Sequence, residues 1–529
     1  TLVAAACGGN GGTQEPENAP AAEFDLRVAV TDPGSLDPPK IATDSATLIA
    51  RQVCDTLVSF DQQTGALRLG LAQSWTVAPD ARKVTFLLRP GAKFHNGREV
   101  VAEDFVYSMS RLADPKTGSN QHFLLDKVAG YTEMRAGRAP QLTGVRAVDP
   151  RTLEVDLTEP FAEFPTVMTT IAAGSAVPRE EVERSADEFA TRPVCTGPYE
   201  VESPKSGEGM RLVRDPDYHG ANEGYLEGGR GFARAIDFRF VESEADAYQL
   251  LDNGEVDVSP VPARNLAAAG QVEGRVTSGP NGHVSYIGLP VKKAPFDNVN
   301  LRRAMALAVD REEIITGLLG DSRGTPNGFL PPSAGPQASA GRCPEVIGET
   351  ADVSAAQAAA AEEGVGVPET LIVYLNSGGG HEQWLQNVVD QWDEALGISG
   401  TLKPDEWQPY IDYLAGTGAD GPFRLAWTVE YPSPEALFAP LFSSASLDNY
   451  SRYSSPEFDA AMNKARATVD DAQRAQAYAE AGSHLCRDVP IIPIWFGRNH
   501  LAFGEGVEAA GATRIDLFGE PVLRELRKS

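Results

Sequence analysis

The sequence is poor in the residues that build metal and redox centres. Its 529 residues include five cysteines and six methionines, and no two cysteines lie at the spacing of a zinc-ligand pair. The histidines are scattered, which disfavours direct uptake of a metal by histidine coordination; they are His95, His122, His219, His283, His381, His484 and His500. We therefore expect neither a metal site nor a cofactor.

Known catalytic motifs are missing as well. The chain has no Gly-x-Ser-x-Gly elbow, no Walker-type phosphate loop and no His-Glu-x-x-His pair. The glycines at 378–380 lack the downstream Lys-Ser/Thr of a nucleotide-binding loop. His95 precedes Asn96 and Gly97, a context typical of a turn. The sequence thus predicts a protein that catalyses no reaction.

Positive charge and long apolar runs are the remaining shortages. Lysine and arginine total 46 against 74 aspartates and glutamates, a formal net charge of −28. This charge disfavours binding to nucleic acid or anionic membrane and favours cationic or zwitterionic ligands. Most of it also fits a solvated acidic surface that touches no ligand. No run of about 18 apolar residues occurs, so we predict no membrane-spanning helix.

The first dozen residues, TLVAAACGGNGG, resemble the end of a lipoprotein signal peptide. In that interpretation Cys7 becomes the mature N-terminus and carries the lipid, although Ala4 stands where such signals usually have leucine. The stretch up to Glu23 is rich in glycine, proline, alanine and glutamate, which is typical of a flexible tether. The alternative is a free cysteine in a disordered arm.

The other four cysteines are Cys54, Cys195, Cys343 and Cys486. An even number fits an oxidising compartment, and four cysteines allow three disulfide pairings. Buried free thiols are the alternative.

The hydrophobic pattern alternates between strands and helices without a repeat. Residues 24–30 alternate as a half-buried strand does, and the pattern predicts helices over 301–309 and 311–319. Residues 370–375 form a candidate buried strand, which leads through a glycine-rich turn into a predicted helix over 381–396. Because the chain is too long for one core, we predict at least two lobes of mixed α/β structure.

The segment from Leu71 to Arg111 carries the most informative pattern. It reads LAQSWTVAPDARKVTFLLRPGAKFHNGREVVAEDFVYSMSR and combines a Pro-Asp turn, a strand, a tight turn and a capped helix. Other motifs lie around it in a fixed order: SLDP at 35–38, RLADPKTGS at 111–119, TGPY at 196–199, VRDPDY at 213–218, APFDNVNLRRAMALAVDR at 294–311, EYPSP at 430–434 and DVPIIPIWF at 488–496. This series resembles the peptide- and nickel-binding proteins (family 5) of bacterial ATP-driven importers, above all their oligopeptide binders.

The resemblance implies a periplasmic-binding-protein-like α/β fold (type II, cluster C) with two lobes and an inserted sub-domain. After a signal remnant and tether over 1–23, lobe I takes residues 24–55, 179–282 and 497–529. The inserted sub-domain takes 56–178 and lobe II takes 283–496. This division implies the disulfides Cys54–Cys195 in lobe I and Cys343–Cys486 in lobe II, which leave the hinge between the lobes free.

The resemblance also implies which residues contact a ligand. An acidic residue before Tyr-Pro holds the ligand's ammonium group in the family, and Glu430 takes that place here, where aspartate is usual. The implied ligand-binding residues are Asp32, His381, Trp407, Arg424, Trp427, Glu430 and Tyr431.

Each of these residues also has an ordinary structural explanation. Glu430 and Asp32 each precede a proline turn, and His381 begins a predicted helix, where it can cap the helix or meet a ligand carboxylate. Arg424 offers a bidentate fork for a carboxylate or for an internal acid. The two tryptophans wall a pocket or belong to the core.

The implied function is capture of short peptides outside the cytoplasm, by a protein anchored to the outer face of the cell membrane through a lipid on Cys7. Closure of the two lobes around the peptide would precede delivery to permease subunits and their ATPases. We expect a monomer that binds no nucleic acid. The alternatives are a lipoprotein that senses peptides without transport, a binder of another solute such as chelated nickel, and an extracellular peptidase.

Overall fold

The computed structural model describes residues 24–205, 207–220, 231–509 and 514–528. Cys7, and with it the predicted lipid attachment site, lies outside the described residues. Strands and helices are interleaved along the described chain, in agreement with the α/β prediction.

The strands are β1 (Asp25–Thr31), β2 (Val58–Phe60), β3 (Leu67–Leu69), β4 (Ala72–Val77), β5 (Lys83–Leu88), β6 (Val145–Asp149), β7 (Thr152–Asp156), β8 (Tyr199–Lys205), β9 (Gly209–Arg214), β10 (Ala235–Val241), β11 (Val258–Pro260), β12 (Val276–Gly288), β13 (Thr370–Asn376), β14 (Ser399–Asp405), β15 (Phe423–Thr428), β16 (Ile491–Phe503), β17 (Val507–Ala509) and β18 (Leu526–Lys528).

The α-helices are α1 (Asp44–Val53), α2 (Ala102–Ala113), α3 (Tyr131–Arg135), α4 (Phe164–Val167), α5 (Ile171–Gly174), α6 (Arg179–Arg184), α7 (Ala186–Thr191), α8 (Glu244–Asp252), α9 (Leu266–Ala269), α10 (Val299–Leu307), α11 (Val353–Ala360), α12 (Glu382–Leu396), α13 (Trp407–Ala415), α14 (Glu435–Phe442), α15 (Pro456–Ala467) and α16 (Asp471–Asp488). Residues Glu313–Leu318, where the pattern predicts an α-helix, form a π-helical turn.

Ten of the described strands form one mixed sheet in the order β14-β13-β15-β12-β16-β11-β1-β10-β9-β8. A second, antiparallel sheet in the order β4-β5-β7-β6 lies within the sequence range predicted for the inserted sub-domain. Strand β1 pairs in parallel with β10 over its full length. Its burial alternates as predicted from Asp25 to Val28, but Ala29 and Val30 are both buried, so this end of the strand is covered on both faces.

Two long strands, β12 and β16, run through the middle of the large sheet. Residues 276–280 of β12 pair with 498–502 of β16, and residues 284–288 pair with 491–496. The register shifts between Pro280 and Val284, so the ladder is interrupted there. Gly497 lies opposite this break, where an added Cβ would come within 1.8 Å of the Asn281 side-chain oxygen. The two halves of the sheet are therefore joined through an irregular segment.

Two large hydrophobic cores lie on either side of this segment. One is built from residues of 57–176 and 284–496 together, and the other from residues of 26–54, 171–258 and 501–526. Both disulfides implied by the resemblance are present: Cys54–Cys195 with Cα atoms 5.0 Å apart, and Cys343–Cys486 with Cα atoms 5.5 Å apart.

Candidate functional site

Three neighbouring strands end at one edge of the large sheet and carry most of the predicted ligand contacts. Strand β13 pairs in parallel with β14 and with β15. Because the carboxyl ends of parallel strands meet at the same edge, the residues that follow them are brought together. His381 follows β13, Trp407 follows β14 and Glu430 follows β15. We call this edge the site edge.

Glu430 lies two residues beyond the end of β15. Its side chain is open to solvent, yet enough protein surrounds it that desolvation raises the pKa of its carboxyl group. The negative charge of Asp44, at the start of α1, raises this pKa further. Within the described residues no lysine or arginine forms an ion pair with Glu430. The site edge therefore presents an acid without a counter-charge.

Arg424 lies on β15, six residues before Glu430, with 8% of its surface exposed. Its Nη1 donates to the side-chain oxygen of Asn376 at 3.2 Å, and its Nε has no hydrogen-bond partner among the described residues. Burial lowers the pKa of Arg424, and no carboxylate of the described chain pairs with it. A buried guanidinium without an acid is costly, which suits a place where an anionic group arrives with the ligand.

His381 lies immediately before α12, and its ring orientation is set by two neighbours. The indole Nε1 of Trp384 lies 3.4 Å from Nδ1 of His381. Since an indole nitrogen only donates, Nδ1 accepts, and the neutral ring carries its proton on Nε2. The ring also lies over Gly379, where an added Cβ would come within 2.3 Å of Nε2. His381 thus keeps one N–H for another acceptor.

His283 joins this group from β12, where it faces Thr428 of β15. Desolvation lowers the pKa of both His283 and His381 to about 4, and the positive charge of Arg424 contributes in each case. Arg323 lowers the pKa of His283 as well. The two imidazoles are therefore neutral at pH 7, and the region around Arg424 is electropositive.

The structure places the other predicted residues differently. Trp407, the first residue of α13, is 54% exposed at the site edge. Trp427 is half-buried, and its Nε1 donates to the carbonyl oxygen of Ala436 at 2.8 Å. Tyr431 is only 8% exposed and belongs to the core, so its contact with a ligand stays a prediction.

Asp32 is exposed at the carboxyl end of β1, on the other half of the sheet. Its Oδ1 accepts a hydrogen bond from the backbone N–H of Gly34 at 2.8 Å, and this bond closes the turn at Pro33. Close to the same strand end lies a cavity of about 320 Å³, lined by Thr31 and Asp44 and by Glu520. Arg323 of the other half also contributes to its wall.

Sequence reasoning missed several residues that shape this site. Asn376, which holds Arg424, ends a strand before a glycine run, and that position was a usable signal. His283 and Asp44 carried no such signal, because only strand pairing and the packing of α1 bring them to the site.

In the described structure, one group of side chains of the kinds that bind metal ions lies close together: Cys343, Glu345 and Cys486. The two cysteines form a disulfide, so neither offers a thiolate to a metal ion. None of the described helices combines the length and apolarity that crossing a membrane requires.

Comparison with known proteins identifies the family of this chain and similar binding proteins. Residues 66–449 match the family model described as bacterial extracellular solute-binding proteins, family 5, middle region. The periplasmic oligopeptide-binding protein OppA of Salmonella typhimurium is 28% identical over 87% of this chain and 85% of its own length. The probable deoxycholate-binding periplasmic protein YgiS of Escherichia coli is 27% identical over 88% of this chain and 86% of its own length.

Among solved structures, the fold is similar to that of the murein tripeptide-binding protein MppA in its unliganded open form. The two superpose with a TM-score of 0.83 over 96% of this chain and 98% of the other, at 23% sequence identity. This agreement confirms the predicted two-lobed fold.

Proposed function

Because the chain belongs to family 5 of the bacterial extracellular solute-binding proteins, we propose that it captures short peptides outside the cytoplasm and delivers them to the permease of an ATP-driven importer. Members of this family bind their substrates without catalysis, in agreement with the expectation of a non-enzyme.

The observation that carries the peptide assignment is a pair of opposite, uncompensated charges along one edge. Glu430 lacks a basic partner, and Arg424 lacks an acidic one, among the described residues. A peptide has an ammonium group at one end and a carboxylate at the other, so it supplies both missing partners. We assign Glu430 to the ammonium group, and Arg424 with the Nε2–H of His381 to the carboxylate.

The spacing of these groups suits an extended peptide. Arg424 lies on β15 and Glu430 two residues beyond its end, so their Cα atoms are at most about 20 Å apart, the length of six extended steps. An extended peptide of about five residues spans about 17 Å, which fits within this limit. Trp407 and Trp427 offer flat surfaces for ligand side chains, and Asp32 faces the ligand from the other lobe in this proposal.

We further propose that the lobes close about β12 and β16. The interrupted ladder at 281–283 and the crowded Gly497 coincide with the lobe boundaries proposed at 282/283 and 496/497. A ligand that contacts both lobes would stabilise the closed form by its higher affinity for that form. The similarity to an open, unliganded relative supports an open arrangement for the ligand-free protein.

The proposed attachment to the membrane rests on Cys7 and the tether that follows it. Lipid labelling of the full-length precursor expressed in a bacterium tests this part: Cys7→Ser should abolish incorporation of the lipid. Label retained by the variant would contradict it.

The first test of the ligand assignment is Glu430→Ala. Calorimetry with a pentapeptide should show a loss of affinity of at least about 30-fold, since a buried charge-assisted pair is worth about 2 kcal/mol or more. The N-acetylated peptide lacks the ammonium group, so its affinity should be nearly the same in the variant and the wild type.

Glu394→Ala is the matched control. Glu394 is an exposed acid in the last turn of α12, about 20 Å along the helix from His381, so both peptides should bind this variant as they bind the wild type. Equal weakening of both peptides by Glu430→Ala would remove Glu430 from the ammonium role.

A second solute class is suggested by the similarity to YgiS, a probable deoxycholate-binding protein. Deoxycholate has a carboxylate and no ammonium group, so it would use Arg424 and leave Glu430 unpaired. Binding of deoxycholate that is insensitive to Glu430→Ala, together with no binding of any peptide in a broad panel, would overturn the peptide assignment.

A further inference from the structure

Residues 430–434, which we call the ligand loop, contact the inserted sub-domain as well as lobe II. Ser433 is fully buried in the middle of this loop. Its hydroxyl donates to Glu163 at 2.6 Å and accepts from the backbone N–H of Glu435 at 3.1 Å. Glu163 precedes α4, 270 residues away in the sequence. The loop that bears Glu430 is thus held by an acid of another part of the chain.

Glu163 is itself 4% exposed and has further partners in lobe II. The hydroxyl of Tyr478 donates to it at 2.5 Å, and Nε of Arg474 lies 3.2 Å from its other oxygen. Tyr478 and Arg474 both lie on α16. An isolated buried carboxylate is costly, but this one has three partners. The carboxylate therefore ties the ligand loop to a long helix of lobe II.

A second group of contacts surrounds the first. Glu435, directly after the ligand loop, pairs with Nε of Arg466 at 2.8 Å and lies 4.0 Å from Nζ of Lys127. The backbone N–H of Ala162 donates to the carbonyl oxygen of Arg466 at 2.7 Å. Lys127 and Ala162 both belong to the range of the inserted sub-domain. The inserted sub-domain therefore also contacts the part of lobe II that adjoins the ligand loop.

The tip of the β2-β3 hairpin adds a packing contact to these polar ones. An added Cβ on Gly65 would lie 3.0 Å from Cβ of Pro432 and 3.1 Å from Cα of Gly335. The hairpin backbone thus rests directly on the ligand loop.

We propose that Glu163 is a positioning residue for ligand binding. Through Ser433 it holds the ligand loop, and with it Glu430, in the arrangement that receives the ligand's ammonium group. The inserted sub-domain then has a role in recognition, because it fixes a binding loop without touching the ligand. This proposal rests on the proposed function of Glu430.

The test uses two substitutions in the whole protein. Ser433→Ala removes the hydroxyl that links the loop to Glu163, and Glu163→Gln removes the charge while preserving the shape of the side chain. If the second variant is too unstable to purify, the first still tests the link. Ser443→Ala is the matched control, because the Ser443 hydroxyl lies beyond the far end of α14 and has no hydrogen-bond partner in the described structure.

The first measurement is hydrogen exchange of residues 429–436 without ligand. Loss of one hydrogen bond to a charged group should speed exchange in this segment at least about tenfold in Ser433→Ala, whereas Ser443→Ala should leave it unchanged. Exchange at the wild-type rate in Ser433→Ala would overturn the proposal, whatever the protein binds.

The second measurement is the ratio of the dissociation constants for the N-acetylated and the free-amine pentapeptide. A loosened loop should reduce this preference for the free amine at least about fivefold, whereas a general loss of stability should weaken both peptides alike. An unchanged ratio alongside faster exchange would also overturn the positioning role. If the wild type itself has no preference for the free amine, the proposed function fails, and the exchange result still decides whether Glu163 holds the loop.

Discussion

The surroundings of Glu520 strongly change the pKa of its carboxyl group. It lines the cavity at the carboxyl end of β1 together with Asp44. Burial raises the pKa of Glu520 to about 8, with Asp516 and Asp44 adding to the effect and Arg51 opposing it. Arg51 is held by Asp516 at 2.6 Å, so it compensates Glu520 incompletely. The carboxyl group is therefore mostly protonated at pH 7.

This shift predicts a pH-dependent stability. In the unfolded chain Glu520 ionises near its ordinary pKa of about 4.5, and in the folded protein it ionises near 8. The unfolded state thus binds fewer protons between these values, so stability falls as pH rises from about 5 to about 8. In Glu520→Gln the free energy of unfolding should fall less over this pH range, and the difference should reach up to about 5 kcal/mol at pH 8.5.

Denaturant unfolding at pH 5.5 and pH 8.5 measures the effect. Glu505→Gln is the control, since Glu505 is an exposed acid in the same C-terminal region and its substitution should leave the pH profile as in the wild type. A variant of Glu520 with the wild-type pH profile would contradict the assignment of the shift to this residue.

At the same scale, residue identity alone could not separate site residues from core residues. Glu430 and Tyr431 are neighbours in the EYPSP motif, yet one is exposed and the other is packed in the core. The orientation of each side chain depends on how the ligand loop meets Glu163 and the hairpin at Gly65. Those contacts come from distant parts of the chain.

At the scale of single elements, local patterns were more informative. The predicted strand over 370–375 and helix over 381–396 correspond to β13 and α12 within one residue. Helix α12 has a regular apolar face and ends at Gly397, which adopts the left-handed conformation of a helix C-terminus. Strand β13 instead buries three consecutive residues, Val373 to Leu375. The predicted helix over 311–319 is a π-helical turn instead, a difference that an apolar period alone does not reveal.

The turn between β13 and α12 gives a prediction at this scale. In Gly379→Ala the new Cβ would lie 2.3 Å from Nε2 of His381, so the ring must leave its place beside Trp384. We expect peptide affinity to fall about tenfold through loss of the hydrogen bond assigned to the carboxylate, with the melting temperature changed by only a few degrees.

Calorimetry and thermal unfolding check this prediction. Gly366→Ala is the control, because an added Cβ there meets no atom within 4 Å. Affinity equal to that of the wild type in Gly379→Ala would show that the position of the His381 ring does not matter for binding.

At the scale of the whole molecule, each disulfide closes a loop within one proposed lobe. Cys54–Cys195 spans 141 residues and Cys343–Cys486 spans 143. Loops of this length are expected to stabilise the folded state by up to about 5 kcal/mol each through the entropy of the unfolded chain. Neither bridge crosses the break in the β12–β16 ladder.

Removal of a bridge should therefore lower stability without blocking lobe closure. For Cys54→Ala/Cys195→Ala we expect earlier unfolding in denaturant, while small-angle scattering should record the same contraction on addition of peptide as in the wild type. Cys7→Ser, at a cysteine outside both bridges, should change neither quantity. A double variant that stays folded but no longer contracts would contradict the proposal that the bridges leave the hinge free.

The sequence by itself determined the α/β class, the family, most strands and helices, and the pairing of four cysteines through the resemblance. These features depend on residues that are close in the chain or on motifs in a fixed order. It also identified Glu430, His381 and Arg424 as candidates, because the resemblance implies ligand contacts at their positions in the motifs.

Only the tertiary structure decided which charges remain unpaired and what holds the binding loop. The charge of Asp44 acts on Glu430, and no acid of the described chain pairs with Arg424. Ser433 forms a hydrogen bond with Glu163, which lies 270 residues away in the sequence. The physical reason is that Coulomb interactions and desolvation depend on distance in space and on burial. Neither quantity is set until distant parts of the chain have packed together.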